Sequence, residues 1–189
     1  MSEICKKDYL DDVLYSYSMS HIKEVTDEYK AAANRLRDAI KEHYGEQMYP
    51  TFFSGSIAKH TAVNTKFDID FVIPFKHDSF DTLQAMSDNV FEFLNDYVKK
   101  DENIDICDSY VKKQKVSIGF TYQYFLDGEQ RTIPIDVVPG RELSQGDYEK
   151  TKSLNLFFRE SNWGFMSDEG SRQKTNIAAQ GDEICGKNN

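Results

Sequence analysis

The chain has 189 residues, 39% of them hydrophobic and 13% aromatic, which is a globular composition and enough length for one domain with its own core. A net charge of −9 argues against a sequence-independent duplex binder, which needs a broad basic face, but leaves room for a local nucleotide site served by metal ions. The three scattered cysteines, Cys5, Cys107 and Cys185, argue against a zinc knuckle or a disulfide framework, and with no apolar signal core and no run near the ~18 residues of a membrane span the expected location is the cytoplasm, off the membrane.

From about Tyr9 to Tyr44 the chain reads as one long helix. Ile22, Val25, Tyr29, Ala33, Leu36 and Ile40 recur at three- and four-residue steps, and charged residues fill the other face. The Ser16–Ser20 stretch is its weak place. Gly45–Pro50 is a loop, and Thr51–Ser54 is the first expected strand. Gly55-Ser56 follows, then a short helix start at Ile57–Thr61. A strand, a glycine and a helix N-terminus make an anion site, because free N–H groups point outward and glycine lets a phosphate approach.

The next strand carries the most telling pattern. Phe67, Ile69, Phe71 and Ile73 alternate with Asp68, Asp70 and Val72, the period of a strand with one face in a core. Asp68 and Asp70 are two apart and leave the same face. Acids on an outer strand face are usually just solvated. On so apolar a strand, two carboxylates ~7 Å apart would repel, and a divalent cation removes that cost.

Thr82–Lys100 resumes helical spacing, with Leu83, Met86, Val90, Phe93, Leu94 and Val98 apolar. Ile104–Val111 is an expected strand and Lys112-Lys113 a turn. Lys115–Phe125 alternates again, Asp127-Gly128 is a hairpin turn signal, and Arg131–Val138 is the return strand. There Ile133, Ile135 and Val137 face the core, so Asp136 faces the other side; Pro134 suggests an edge or bulge. After Pro139-Gly140 the chain turns polar. Asn155–Phe158 is a short strand or helix, and Ser167–Asp182 reads as a loop with a helix start near Thr175. Trp163 is expected to pack, and Lys174 and Arg172 are candidate phosphate contacts.

The ordered set Gly55-Ser56, Asp68-x-Asp70 and Asp136 resembles the nucleotidyltransferase superfamily with the DNA polymerase beta-like fold. Within it, the long N-terminal helix, the stretch GSIAKHT…DIDFVIP and the segment TIPIDVVPG look most like the bacterial CD-NTases, the cyclic-oligonucleotide synthases of anti-phage CBASS systems, related to cyclic GMP-AMP synthase and the oligoadenylate synthases. Lys174-Thr175-Asn176 is similar to a segment that often follows the core in that group, with Ile177 where proline is usual. The resemblance covers roughly Tyr9 to Gln180.

It implies an α/β (α+β) fold, a mixed or antiparallel sheet flanked by helices, with residues 1–182 as the catalytic core and 183–189 a polar tail. The C-terminal helical domain usual in the family is expected to be absent, truncated or supplied by a partner chain. The resemblance further implies that Asp68, Asp70 and Asp136 are catalytic and hold two Mg²⁺ or Mn²⁺ ions, while Gly55, Ser56 and Lys174 bind the nucleoside triphosphate. The expected activity is phosphodiester formation from NTPs, giving a cyclic or linear oligonucleotide messenger. The alternatives are transfer to RNA, to a protein as in antitoxin-type enzymes, or to a small molecule, and an inactive nucleotide-binding module.

Overall fold

The computed structural model describes residues 10–11, 23–54, 69–100, 111–126, 128–162 and 165–177, and these build a mixed sheet with two long helices on one face. Helix α1, Lys23–Tyr44, buries Tyr29, Ala33, Leu36 and Ile40, the stripe its periodicity predicts, together with Ala32 and Tyr44. It stops at Gly45, whose φ of +47° is a backbone state that favours glycine. Of the expected earlier half of this helix, Leu10 and Asp11 are helical, and the Ser16–Ser20 stretch lies outside the described residues.

Helix α2, Leu83–Lys100, starts one residue later than its pattern suggests because Thr82 caps it: the Ala85 N–H donates to Thr82 Oγ1 at 3.0 Å. It buries Met86, Val90, Leu94 and Val98. The Tyr44 hydroxyl donates to Asn89 Oδ1 at 3.0 Å and ties the helices together. Burial pushes the Tyr44 phenol up, so it stays a donor. Among the described residues no helix is long and apolar enough to cross a membrane.

The strands are β1 (Phe52–Ser54), β2 (Ile69–Phe75), β3 (Lys112–Lys113), β4 (Ile118–Leu126), β5 (Glu129–Glu142), β6 (Leu154–Asn162) and β7 (Phe165–Thr175), with a short helix α3 (Tyr148–Thr151) before β6. Their order is β1-β2-β5-β4-β3, with β6 also on β5 and β7 on β6. Among the described residues only β2 and β5 run parallel; the other pairings are antiparallel. Strand β5 lies against β2 along one edge. On its other edge it pairs with β4 as far as Val137 and with β6 from Gly140. Pro139 sits between those two ladders, where no N–H is needed on that edge.

Alternation sorts two cores. Ile69, Phe71, Ile73 and Phe75 of β2, Ile118, Phe120 and Tyr122 of β4, and Ile133, Ile135 and Val137 of β5 face the helices. On the opposite face Val72 packs with Tyr148, Leu154 and Leu156 in a smaller core. Leu126 pairs with Glu129 and Gly128 has φ +81°, while Asp127 of the expected Asp127-Gly128 turn lies outside the described residues.

Four expectations change. Lys112-Lys113 is not a turn but an edge strand on Ile118 and Gly119; the turn follows it, closed by Gln114 N–H to Ser117 O at 2.9 Å. Of the expected strand Ile104–Val111, residues 104–110 lie outside the described residues, and Val111 itself precedes β3 without belonging to a strand. Asn155–Phe158 belongs to a longer strand, Leu154–Asn162. Ser167–Thr175, read as a loop, is strand β7: its ladder partner β6 supplies the order that its polar sequence does not. Pro134 keeps its place opposite Thr121 with no shift in the β4–β5 register, and the described β2 ladder begins one residue later, at Ile135.

Glu142 closes the far end of β5. It is 1% exposed, and its carboxylate accepts from the His77 N–H at 2.9 Å, the Tyr49 hydroxyl at 3.0 Å and the Tyr148 N–H at 3.3 Å. Burial alone would raise its pKa. The bonds from His77, Tyr148, Tyr49 and Gly146 outweigh burial and hold it below the usual carboxylate value. The Tyr49 phenol is pushed up to about 12, first by burial and then by its bond to Glu142. A depressed carboxyl stabilises the fold above its unfolded pKa of about 4.3, and that contribution fades as pH falls through the lower folded value. Glu142→Gln should therefore cost about 2 kcal/mol near pH 7, with a deficit that shrinks below about pH 4. Urea unfolding of both proteins across that range checks this, and a deficit independent of pH would count against it.

Candidate active site

Register places Asp70 directly beside Asp136 on the parallel strands β2 and β5. Ser54 of β1 lies beside Asp70, and Gly119 of β4 beside Asp136. Paired residues share a face, so Ser54, Asp70, Asp136 and Gly119 form one row across four strands. The row lies on the face away from the helices, because Ile69, Phe71, Ile135 and Val137 take the other. Both aspartates are half-buried. Next on their face come Val72 and Val138, which join the smaller core.

Neighbouring strands run about 4.8 Å apart, so two carboxylates in register crowd like charge into one spot. Their oxygens are hard donors, and one or two carboxylates with substrate oxygens and water are what Mg²⁺ takes. The residues present therefore fit a divalent ion.

Asp136 has a built support. Its Oδ1 accepts a hydrogen bond from Gln114 Nε2 at 2.8 Å, and the Ser117 hydroxyl donates to Gln114 Oε1 at 2.7 Å. Gly119 makes this approach feasible: a Cβ there would stand 2.3 Å from Gln114 Nε2 and 2.6 Å from Asp136 Oδ1. These three residues were not singled out in the sequence. A glycine inside the apolar strand IGFTY was the available signal for a close approach.

Of the expected site residues, the sheet brings Asp70 and Asp136 together. Asp68, Gly55 and Ser56 lie outside the described residues, although β1 ends at Ser54 beside Asp70, so Gly55-Ser56 follow directly in sequence. Lys174 is exposed on β7. It pairs with Asn155, which pairs with Arg141, further along β5 from Asp136 and on the alternate face, so Lys174 stands apart from the pair.

Over 96% of its length the chain superimposes on the CdnC protein of E. coli MS115-1 in a CdnC:HORMA-deltaN complex, with a TM-score of 0.56 and 20% identity, and it covers 50% of that protein. Against the same CdnC with ATP the TM-score is 0.53 at 21% identity, covering 91% of this chain and 48% of that one. A STING-associated CdnE c-di-GMP synthase from Capnocytophaga granulosa gives 0.54 at 12% identity, over 87% of this chain and 46% of that one. The chain shares the fold of these CdnC and CdnE proteins. The chain spans about half the length of these solved structures. No protein-family model and no curated protein matches it.

In the row across β1, β2, β5 and β4, Gly119 is the most sensitive backbone position. Only side-chain ends crowd a Cβ there, so Gly119→Ala should fold. It should cost about 1.5–3 kcal/mol, the scale of one hydrogen bond to a charged group, as the Gln114 amide leaves Asp136. Amide NMR checks this: the Gln114 side-chain NH₂ signals should move toward unstructured positions, and unchanged signals would refute it.

Proposed function

We propose that this chain is the core of a metal-dependent nucleotidyltransferase that joins nucleoside triphosphates into a cyclic or linear oligonucleotide messenger. The observation that carries the reading is Asp70 beside Asp136 on neighbouring strands of this fold. Its support is the likeness to CdnC and to the CdnE c-di-GMP synthase.

In this reading Asp68, Asp70 and Asp136 hold two divalent ions, Mg²⁺ or Mn²⁺. The ions supply charge neutralisation on the triphosphate and a lower pKa for the acceptor hydroxyl. The Gly55 N–H and the Ser56 hydroxyl donate to the β- and γ-phosphates just past the end of β1. A hydroxyl of one nucleotide attacks the α-phosphorus of another; its proton leaves, the P–O bond to the β-phosphate breaks, and pyrophosphate departs. The apolar neighbours Val72 and Val138 fix the two strands that carry the acids, so the site acts by positioning and electrostatics. A role in anti-phage defence rests on the sequence resemblance alone, and a partner chain is supported by CdnC having been solved with a HORMA protein.

Labelled ATP, GTP, CTP and UTP with Mg²⁺ or Mn²⁺ test this, with products resolved after phosphatase treatment. A phosphatase-resistant product is expected. Asp70→Asn and Asp136→Asn should each lower its formation at least about 1,000-fold, with melting temperatures equal to or above that of the unaltered protein, because each removes like-charge repulsion. Undiminished turnover in either variant would sink the assignment. Labelled product on added RNA or protein, and none from NTPs alone, would indicate a different acceptor.

A further inference from the structure

Resting on the metal-dependent reading above, we propose that Gln114 is the positioning residue of Asp136: by holding Oδ1 it sets the orientation in which the carboxylate meets the divalent ion. A carboxylate on a short side chain can turn, bind both oxygens to one ion, or swing toward a neighbour. The Gln114 amide, 2.8 Å from Oδ1, removes that freedom. The amide cannot easily flip. The Ser117 hydroxyl donates to its Oε1 at 2.7 Å, and a flipped amide would aim oxygen at the carboxylate.

The backbone under Gln114 is pinned as well. Its N–H donates to Ser117 O at 2.9 Å, its carbonyl accepts from Arg159 Nη1 at 3.3 Å, and the Arg159 N–H donates to Lys115 O at 2.8 Å. Arg159 is fully buried. Its guanidinium donates to Ser87 and lies 3.7 Å from Asp88, both on α2, and Lys113 just before the turn pairs with the same Asp88 oxygen at 2.8 Å. The turn that carries Gln114 is thus clamped to β6 and α2, and Gly119 keeps the path to Asp136 clear. Rigid second contacts of this kind orient metal-binding carboxylates and commonly change metal affinity by about 10–100-fold when removed.

The test is Mn²⁺ titration followed by electron paramagnetic resonance, with Mn²⁺ alone and with a non-hydrolysable ATP analogue, on the full chain and on Gln114→Ala, Ser117→Ala, the double variant and Asp136→Asn. Gln114→Ala should weaken Mn²⁺ binding about 10–100-fold while its melting temperature stays within a few degrees. Where turnover is measured, it should recover at saturating Mn²⁺, because the bond positions a ligand and does not itself react. Ser117→Ala should weaken Mn²⁺ binding about 3-fold. The double variant should be no worse than Gln114→Ala, because Ser117 acts through the amide.

Unchanged Mn²⁺ affinity in a folded Gln114→Ala protein overturns the proposal. Should that variant fail to fold, unchanged affinity in Ser117→Ala overturns it equally. Asp136→Asn separates the two levels. If it too binds Mn²⁺ as the unaltered chain does, the metal reading fails; if it loses binding while Gln114→Ala keeps it, only the positioning role fails.

Discussion

The parallel pairing of β2 with β5 is the constraint on which the rest depends. In that register Ile69 faces Ile135, Asp70 faces Asp136 and Phe71 faces Val137. The helix-side residues of both strands are buried under α1 and α2, so a slip of one residue would carry apolar groups to the other face and acids into the core. The core therefore enforces the side-by-side aspartates. Parallel strands also need a crossover between them, and here the intervening chain supplies α2 and the β3–β4 pair. The same crossover carries Gln114 and Gly119, so the connection that makes the pairing possible also delivers the support for Asp136.

Two buried polar groups hold the ends of this frame, in different ways. Glu142 gathers backbone N–H groups from His77 just after β2 and from Tyr148 at the start of α3, satisfying its charge locally. Arg159 spans from β6 to α2 and to the Gln114 turn. Neither is a cheap way to gain stability, because a buried charge must recover its lost hydration through well-placed partners. Each instead fixes one arrangement among several that an apolar core would tolerate. Glu142 fixes the closure of the second core, and Arg159 fixes the turn behind the acids.

The site's acids were legible because they interrupt a period. In FDIDFVIP and TIPIDVVP every other residue is apolar, so the aspartates had to share a face with each other or with solvent. That the two strands would be neighbours was not in either pattern; it is a long-range pairing, and it entered only through the resemblance. Strands β6 and β7 were hard to read for opposite reasons. Leu154, Asn155, Leu156 and Phe157 are buried on both faces, which erases alternation. Gly170–Lys174 are exposed, and β7 pairs only with β6 among the described residues, so its sequence has no core to report. Gln114 was invisible because a glutamine in a turn acquires meaning only from the carboxylate it reaches, which lies on another strand.

The magnitudes explain why such a site needs so stiff a frame. Two carboxylates about 6 Å apart repel by about 0.7 kcal/mol in water and about 3 kcal/mol at an effective dielectric of 20. That is a noticeable share of the about 5–15 kcal/mol that holds a domain together. Burial of Ile69, Phe71, Ile73, Ile135 and Val137, at about 1.5–3 kcal/mol each, outweighs it many times over. Left to themselves, the acids would relieve the repulsion by turning apart. The strands cannot separate without opening the helix-side core, and Gln114 holds Asp136 by one oxygen. In the proposed reading, positive charge placed between the two carboxylates offsets that repulsion, and this links the packing of the core to the chemistry proposed for its far face.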